Sequence, residues 1–214
     1  MTRQFSGLDP TRVRENLERV RERIAATGRD PGEVEVCAAV KYVAVDELPA
    51  LAEAGIELVG ENRAQDLLAK QEAHGELFEW DFIGALQSRK VRDVAPAVRL
   101  IHSLASNSAL AQLGKHGARE VLVQVNVAGE EGKAGIASEQ LGGFIERCPV
   151  PVSGLATMPP FASRPEHSRR HFAHLAELAA EHGLRRLSMG TTQDYRVAVE
   201  EGATIVRIGS ALYE

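Results

Sequence analysis

The stretch VEVCAAVKYVAVDEL, residues 34–48, contains the observation that decides between two fold classes. Its opening segment, VEVCAAV, is apolar almost throughout, which is typical of a strand covered on both faces in a parallel sheet. The segment that follows, KYVAVDEL, contains no glycine. An open doubly wound sheet usually has a glycine-rich fingerprint after its first strand. The stretch therefore favours a closed barrel over an open sheet.

A unit made of a short apolar run and then an amphipathic run recurs along the whole chain. The predicted strands are VEVCAAV (34–40), IELVG (56–60), WDFIG (80–84), RLIHSL (99–104), EVLVQVNV (120–127), PVSGLAT (151–157), LRRLSMG (184–190) and TIVRIG (204–209). The predicted helices cover residues 11–26, 46–54, 62–73, 86–94, 106–116, 138–147, 165–182 and 193–201. Eight strands that alternate with helices predict an α/β fold, a (β/α)8 TIM barrel. No linker divides residues 1–214, so we expect a single domain with the helix over 11–26 packed on the barrel.

The composition is that of an ordinary globular protein and argues against several classes. Of the 214 residues, 44% are hydrophobic and 26% are charged. The net charge of -5 does not indicate nucleic-acid binding. No apolar run is long enough to cross a bilayer, and the opening sequence MTRQFSGLDP lacks the apolar core of a signal peptide. The low cysteine content and the lack of an export signal predict a cytoplasmic protein without disulfides.

Polar and glycine residues follow the last two predicted strands, where barrels often bind phosphate. The two loops read SMGTTQD (188–194) and RIGSAL (207–212). Gly190 and Gly209 would let backbone N–H groups approach an anion, and Thr191, Thr192 and Ser210 would add hydroxyl donors. The alternative interpretation of SMGTTQD is an ordinary turn closed by a helix cap.

Lys41 directly follows the first predicted strand, so it should lie at the same mouth as the phosphate loops. An ammonium is costly to bury, and a partly desolvated lysine is a nucleophile toward carbonyl groups. An amine together with a phosphate site is what pyridoxal 5′-phosphate (PLP) requires of a protein. Schiff-base aldolases that act on sugar phosphates use the same pair, and a lysine extending from the strand end into solvent remains a third interpretation.

Motifs spread over nearly the whole chain strengthen the first of these interpretations. They are AAVKYV (38–43), VGEN (59–62), DFIGALQSRK (81–90), HS (102–103), VLVQVN (121–126), EEGKAGI (130–136), GLATMPP (154–160), LSMGTTQDY (187–195) and VRIGSALY (206–213). In this order they resemble the YggS/PROSC family of pyridoxal-phosphate-binding homeostasis proteins. That family is similar in fold to the barrel domain of alanine racemase, a fold type III PLP enzyme.

The resemblance implies a role for each of eight cofactor-binding residues. Lys41 would hold PLP as a Schiff base, and Arg207 would face the pyridine nitrogen. The phosphate group would be held by Ser188, Thr192, Gly209 and Ser210. Asn62 would lie at the cofactor rim, and Met158 would pack near the ring. A guanidinium stays protonated, so Arg207 would not transfer a full proton to the ring nitrogen.

The chain departs from the family pattern at three of these motifs. Val40 stands where the family often has serine, Asp81 where it often has histidine, and Thr192 where it often has a second serine. Threonine keeps the hydroxyl, so the resemblance still implies phosphate binding at Thr192.

The resemblance implies a carrier that takes part in vitamin B6 homeostasis rather than a catalyst. Alanine racemase uses a second base, a tyrosine supplied by another domain. Tyr42 should point away from Lys41 along the strand, and Tyr195 follows the phosphate loop, so neither is an evident second base. The alternatives are a PLP-dependent amino-acid racemase and a Schiff-base aldolase. We expect PLP-dependent apoenzymes as cofactor acceptors, no nucleic-acid or membrane partner, and a monomer.

Two histidine patterns attract attention without predicting a site. His167, His171 and His174 share one helix face, but the pattern lacks the glutamate of a zinc motif, so we expect no metal. His102 and Ser103 are adjacent on a strand, so their side chains should point to opposite faces and not serve one site.

Overall fold

Eight parallel strands close into a barrel in the computed structural model, which describes residues 4–214. The strands are β1 (Glu35–Ala39), β2 (Leu58–Glu61), β3 (Glu79–Phe82), β4 (Leu100–Leu104), β5 (Val121–Gln124), β6 (Val152–Ala156), β7 (Arg186–Thr191) and β8 (Ile205–Ile208). Each strand pairs with the next, and β1 pairs with β8 through Cys37 and Arg207 to close the barrel. The predicted fold class is confirmed, and each predicted strand contains or overlaps an observed one.

Helices form the outer layer, and all but the first follow a strand. They are α1 (Pro10–Ala25), α2 (Leu48–Glu53), α3 (Ala64–His74), α4 (Val91–Val94), α5 (Asn107–His116), α6 (Leu141–Glu146), α7 (Arg169–Glu181), α8 (Tyr195–Glu200) and α9 (Ser210–Tyr213). The sequence pattern predicted the first eight, and α9 is an addition at the end of the barrel. None of the helices in residues 4–214 is both long and apolar enough to span a membrane.

The strands are buried on both faces, which explains their continuous apolar sequences. Side chains that point outward pack against the helices in the main core. Those that point inward form a separate small cluster inside the barrel, made of Cys37, Leu58, Leu100, Leu122, Ala156 and Ile205. Since successive residues of a strand point to opposite faces, the inward positions near each carboxyl end reach the mouth of the barrel.

Helix α1 precedes the first strand and packs on the barrel through one face. Asp9 caps its N-terminus by accepting a hydrogen bond from the backbone N–H of Thr11. Its buried residues include Leu17, Val20 and Ile24, which share one face of the helix. The amide of Asn16 donates to the carbonyl oxygens of Leu212 and Glu214 at 2.9 and 3.1 Å, so α1 is bonded to the chain end.

Candidate functional site

A cavity of about 570 Å3 opens at the mouth of the barrel, among the carboxyl ends of the strands. Its lining residues are Phe5, Ala39, Lys41, Tyr42, Asn62, Ile83, Gly84, Met158, Thr191, Thr192, Arg207, Gly209 and Ser210. The structure thus brings together all but one of the residues that the sequence proposes for cofactor binding. The exception is Ser188.

Lys41 lies in a turn that begins after β1 ends at Ala39, and its side chain is exposed at the cavity. Its ammonium nitrogen lies 4.9 Å from the centre of the Tyr42 ring. The expectation that Tyr42 points away from Lys41 is therefore wrong, because side chains alternate only while the backbone stays extended. Both side chains line the same cavity.

A buried ion pair supports this turn from behind. The Lys70 ammonium donates to a carboxylate oxygen of Glu61 and to the carbonyl oxygen of Val40, each at 2.6 Å. The other Glu61 oxygen accepts from the backbone N–H of Asn62 at 2.6 Å. Because Val40 directly precedes Lys41, the pair fixes the peptide that delivers Lys41 to the cavity. Sequence reasoning missed Lys70, whose only signal is a lysine on the inward face of a helix.

Arg207 lies at the floor of the cavity, and its hydrogen-bond acceptors are neutral groups rather than carboxylates. One terminal nitrogen donates to the carbonyl oxygen of Ser188 at 2.8 Å and to the Ser188 hydroxyl. The other donates to the carbonyl oxygen of Thr157 at 2.8 Å and to the Met158 sulfur at 2.9 Å. The Nε–H has no hydrogen-bond partner among residues 4–214. Burial lowers the pKa of Arg207, but a guanidinium remains a cation and a donor only.

Ser188 lies below the cavity and does not line it. Its side chain is completely buried, and its hydroxyl is bonded to Arg207 and to His102. This geometry corrects the expectation that Ser188 contacts a phosphate together with Thr192. Ser188 lies within β7, whereas Thr192 lies just beyond its end and lines the cavity.

The loops after β7 and β8 meet at the opposite wall of the cavity. The backbone N–H of Gly209 donates to the Thr192 hydroxyl at 3.2 Å, which joins the two loops. A Cβ built on Gly209 would meet nothing closer than 3.9 Å, so space remains in front of this backbone. Gly190 has a φ of +88°, a backbone conformation that favours glycine and turns the chain out of β7.

The alternative interpretation of this loop is right about the turn and wrong about the helix cap, because the Asp194 side chain makes no cap hydrogen bond to α8. Asp194 accepts hydrogen bonds from the Thr191 backbone N–H at 2.8 Å and from the Thr191 hydroxyl at 3.1 Å. The Thr191 hydroxyl is therefore engaged inside the loop. The hydroxyls of Thr192 and Ser210 are the ones that remain to face a ligand in the cavity.

Asn62 and Met158 both line the cavity. The Asn62 backbone packs so closely on Gly84 that a Cβ at Gly84 would lie 1.9 Å from the Asn62 carbonyl oxygen. Only glycine fits there. The Met158 side chain is 57% exposed, which leaves an apolar surface available beside Arg207.

His102 and Ser103 point to opposite faces of β4, as predicted. His102 lies inside the barrel within hydrogen-bond distance of Ser188 and Asp81, whereas the Ser103 hydroxyl donates to the Gly84 carbonyl oxygen. Within residues 4–214, no group of three histidine, cysteine or acidic side chains is placed to hold a metal ion.

Comparison with known proteins identifies relatives that cover nearly the whole chain. The family model described as alanine racemase, N-terminal domain, matches residues 8–214. A pyridoxal phosphate homeostasis protein from Aquifex aeolicus is 41% identical, over 93% of this chain and 96% of the relative.

Solved structures agree with this assignment. PipY from Synechococcus elongatus, solved with PLP bound, superposes with a TM-score of 0.79 at 28% identity, covering 94% of this chain and all of PipY. Alanine racemase from Corynebacterium glutamicum superposes with a TM-score of 0.72 at 15% identity. This chain covers 61% of that racemase, so the second likeness concerns the barrel fold alone.

Proposed function

Because the chain belongs to the family of pyridoxal phosphate homeostasis proteins, we propose that it binds PLP at the mouth of its barrel and takes part in intracellular vitamin B6 homeostasis. The observation that carries the proposal is the cavity itself. Its different walls carry an amine, a guanidinium, and a group of hydroxyl and backbone donors. PLP presents an aldehyde, a pyridine nitrogen and a phosphate, so the residues present fit the cofactor.

Lys41 is the residue that we propose to bond the aldehyde covalently as a Schiff base. It is the only lysine among the cavity-lining residues, and its side chain is exposed to an incoming carbonyl compound. When bound, PLP supplies an electron sink for amino-acid chemistry. The turn that carries Lys41 is held by Lys70 and Glu61, so the amine starts from a fixed backbone position.

Arg207 is the residue that we propose to face the pyridine nitrogen. The N–H groups on both terminal nitrogens are engaged with protein acceptors, which leaves the Nε–H as the donor for a ligand. A guanidinium donates a hydrogen bond without giving up its proton. The ring nitrogen therefore stays largely unprotonated, which makes the bound ring a weaker electron sink.

The phosphate end of the cofactor fits the wall formed by Thr192, Gly209 and Ser210. The two hydroxyls are donors, and the open space in front of Gly209 leaves room for an oxyanion beside them. Asn62 at the rim and Met158 beside Arg207 complete the group, with the exposed Met158 side chain available to pack against the ring. We do not include Ser188 among the phosphate ligands.

A carrier role agrees with the openness of this site. Lys41 is exposed, so a bound cofactor would be accessible to an acceptor such as a PLP-dependent apoenzyme. Water would also reach the reacting atoms, which is unfavourable for carbanion chemistry. The position of Tyr42 beside Lys41 favours a second candidate, an amino-acid racemase, because a phenol in the cavity is a potential base.

The deciding experiment titrates the purified full-length protein with PLP and records its visible absorption spectrum. We expect a Schiff-base band that borohydride removes, with the reduced adduct located on Lys41 by peptide mass spectrometry. Lys41→Ala should lose the band, and Lys115→Ala, which replaces an exposed lysine on α5, should keep it. An absent band in the unmodified protein, or an adduct on another lysine, would overturn the proposal.

The same preparation separates carrier from racemase. Incubation with L- or D-alanine, followed by chiral chromatography, should show no interconversion. Turnover that is lost in Tyr42→Phe would favour the racemase instead.

A further inference from the structure

A chain of polar side chains runs through the otherwise apolar interior of the barrel. It begins at Arg207 at the cavity and passes through Ser188, His102 and Asp81 to Arg99 at the other end of the barrel. Ser188 and Asp81 are completely buried, and His102 is 3% exposed. Buried polar groups are costly unless all are hydrogen-bonded, so an unbroken chain of this length requires a reason.

The direction of the hydrogen bonds in this chain follows from donor chemistry. A guanidinium only donates, so the Ser188 hydroxyl oxygen accepts from Arg207. The ionised Asp81 carboxylate also only accepts, so Nε2 of His102 carries a proton and donates it to a carboxylate oxygen at 2.9 Å. In a neutral imidazole the other nitrogen, Nδ1, is then an acceptor and takes the hydrogen bond from the Ser188 hydroxyl, whose oxygen lies 2.8 Å away.

Asp81 is fixed in turn by Arg99. The Arg99 guanidinium donates to both Asp81 oxygens at 3.0 and 2.8 Å and to both Glu35 oxygens at 3.0 and 2.8 Å. Burial raises the pKa of Asp81, but hydrogen bonds from His102 and Arg99 more than offset this, so the net shift is downward. Burial lowers the pKa of His102, and the positive charge of Arg207 lowers it further against the opposing effect of Asp81. The imidazole is therefore neutral at neutral pH.

We propose that Ser188, His102 and Asp81 are positioning residues that hold the Arg207 guanidinium toward the pyridine nitrogen of bound PLP. The inference rests on the proposed function and extends it to side chains that do not line the cavity. Ser188 occupies one terminal nitrogen of Arg207, and the neutral tautomer of His102 keeps the serine oxygen available as an acceptor. Asp81 selects that tautomer from the far side of the imidazole.

The role has a consequence for the cofactor because its absorption band depends on the hydrogen bond at the ring nitrogen. A guanidinium that loses its Ser188 partner is free to turn, and the Nε–H no longer has one orientation. PLP should then bind more weakly and show a displaced band. Neither effect is expected of a residue that only fills space.

Two variants that are isosteric with each other test the hydroxyl. Both add a methyl group to the side chain at position 188; Ser188→Thr keeps the hydroxyl, whereas Ser188→Val has a second methyl group in its place. We expect Ser188→Val to bind PLP about tenfold more weakly than Ser188→Thr and to displace the band, a ratio that corresponds to ~1.4 kcal/mol. Equal affinities and identical bands for the pair would overturn the proposal.

Asp81→Asn tests the chain at a distance from the cavity. We expect it to displace the band and to weaken PLP binding, although Asp81 does not touch Arg207. Val206→Ala is the control, because Val206 neighbours Arg207 on β8 but is buried in the outer core. It should lower the thermal midpoint and leave the band unchanged. A band displaced equally by both variants would indicate general loosening and would contradict a specific role for Asp81.

A measurement without PLP separates this inference from the proposed function. Long-range proton–nitrogen NMR correlations of the unliganded, unmodified protein should show His102 as the neutral tautomer with its proton on Nε2. The opposite tautomer, or an imidazolium at neutral pH, would overturn the chain even if PLP binds to Lys41. The expected tautomer in a protein that does not bind PLP would support the chain and overturn the cofactor assignment.

Discussion

The two ends of the barrel hold their cations in opposite ways. At the N-terminal ends of the strands, Arg99 is bonded to both oxygens of Asp81 and of Glu35, and Arg186 donates to Glu35 as well. At the carboxyl ends, Arg207 donates to neutral oxygens and to a sulfur, and within residues 4–214 no carboxylate is bonded to it.

Because of this difference, the cation at one end of the barrel contributes to stability and the cation at the other end is available for binding. Four of the five N–H groups of Arg99 are bonded to carboxylates, so its charge is compensated within the protein and little of it is left for a ligand. A cation held by neutral acceptors is oriented but not neutralised, so the mouth keeps its positive charge for an incoming group. The same side-chain type thus stabilises the fold at one end and prepares a site at the other.

The largest expected effect comes from breaking the closed end with Arg99→Met. Asp81 is completely buried and would keep only His102 as a partner, so its charge would be poorly compensated. We expect a loss of about 3 kcal/mol in the free energy of unfolding, the lower end of the range for breaking a buried pair. Urea unfolding followed by circular dichroism measures it. Arg92→Met, which removes an exposed pair with Asp93, should cost less than about 1 kcal/mol.

At the mouth, Arg207→Met should reduce PLP affinity strongly and stability only modestly. No bonded carboxylate is left behind, and the carbonyl oxygens it frees lose one hydrogen bond each, so we expect a loss of about 1–2 kcal/mol in stability. PLP affinity should fall by at least about tenfold, because the donor to the pyridine nitrogen is gone. Titration and urea unfolding of one preparation give both values. If Arg207→Met destabilised as much as Arg99→Met and left affinity unchanged, the two ends would not differ in kind.

Much of the barrel could be predicted because its signal is local and repeated. Each strand is a short apolar run with an amphipathic run after it, and a closed parallel sheet needs only that order. Lys41 and the two loops near Gly190 and Gly209 were found because they lie at the ends of strands, where barrel sites lie, whereas the role of Arg207 was implied by the resemblance to a known family. These inferences depend on position along the chain rather than on side-chain direction.

Side-chain direction is what the sequence conveyed poorly. Tyr42 was expected to point away from Lys41 because the strand was extended past Ala39, where a turn begins. Ser188 was grouped with Thr192 although Ser188 lies inside β7 and Thr192 lies beyond its end. Long-range pairs such as His102 with Ser188 depend on how β4 and β7 face each other across the barrel, which no local pattern encodes.

The smallest effect concerns the pH dependence of stability and involves the buried imidazole. The pKa of His102 is lowered in the folded protein, so the unfolded chain binds its proton first as the pH falls below about 6.5. Stability from this group is present at neutral pH and is lost as the pH falls, by at most about 1.4 kcal/mol per pH unit. The groups that face the imidazole are Asp81, Arg99, Arg207 and Ser188. Asp81 contributes in the same direction only at lower pH, because its own pKa is also lowered.

His102→Gln isolates this contribution, because glutamine does not titrate while the other histidines remain. Urea unfolding at intervals between pH 7.5 and pH 5 should give a flatter profile for the variant than for the unmodified protein. Parallel profiles would mean that His102 has the same pKa folded and unfolded, which a neutral imidazole between Asp81 and Ser188 does not allow. His116→Gln, which replaces an exposed histidine at the end of α5, should leave the profile unchanged. A flattening confined to the buried position would show that the interior of the barrel resists protonation where the chain to Arg207 requires it.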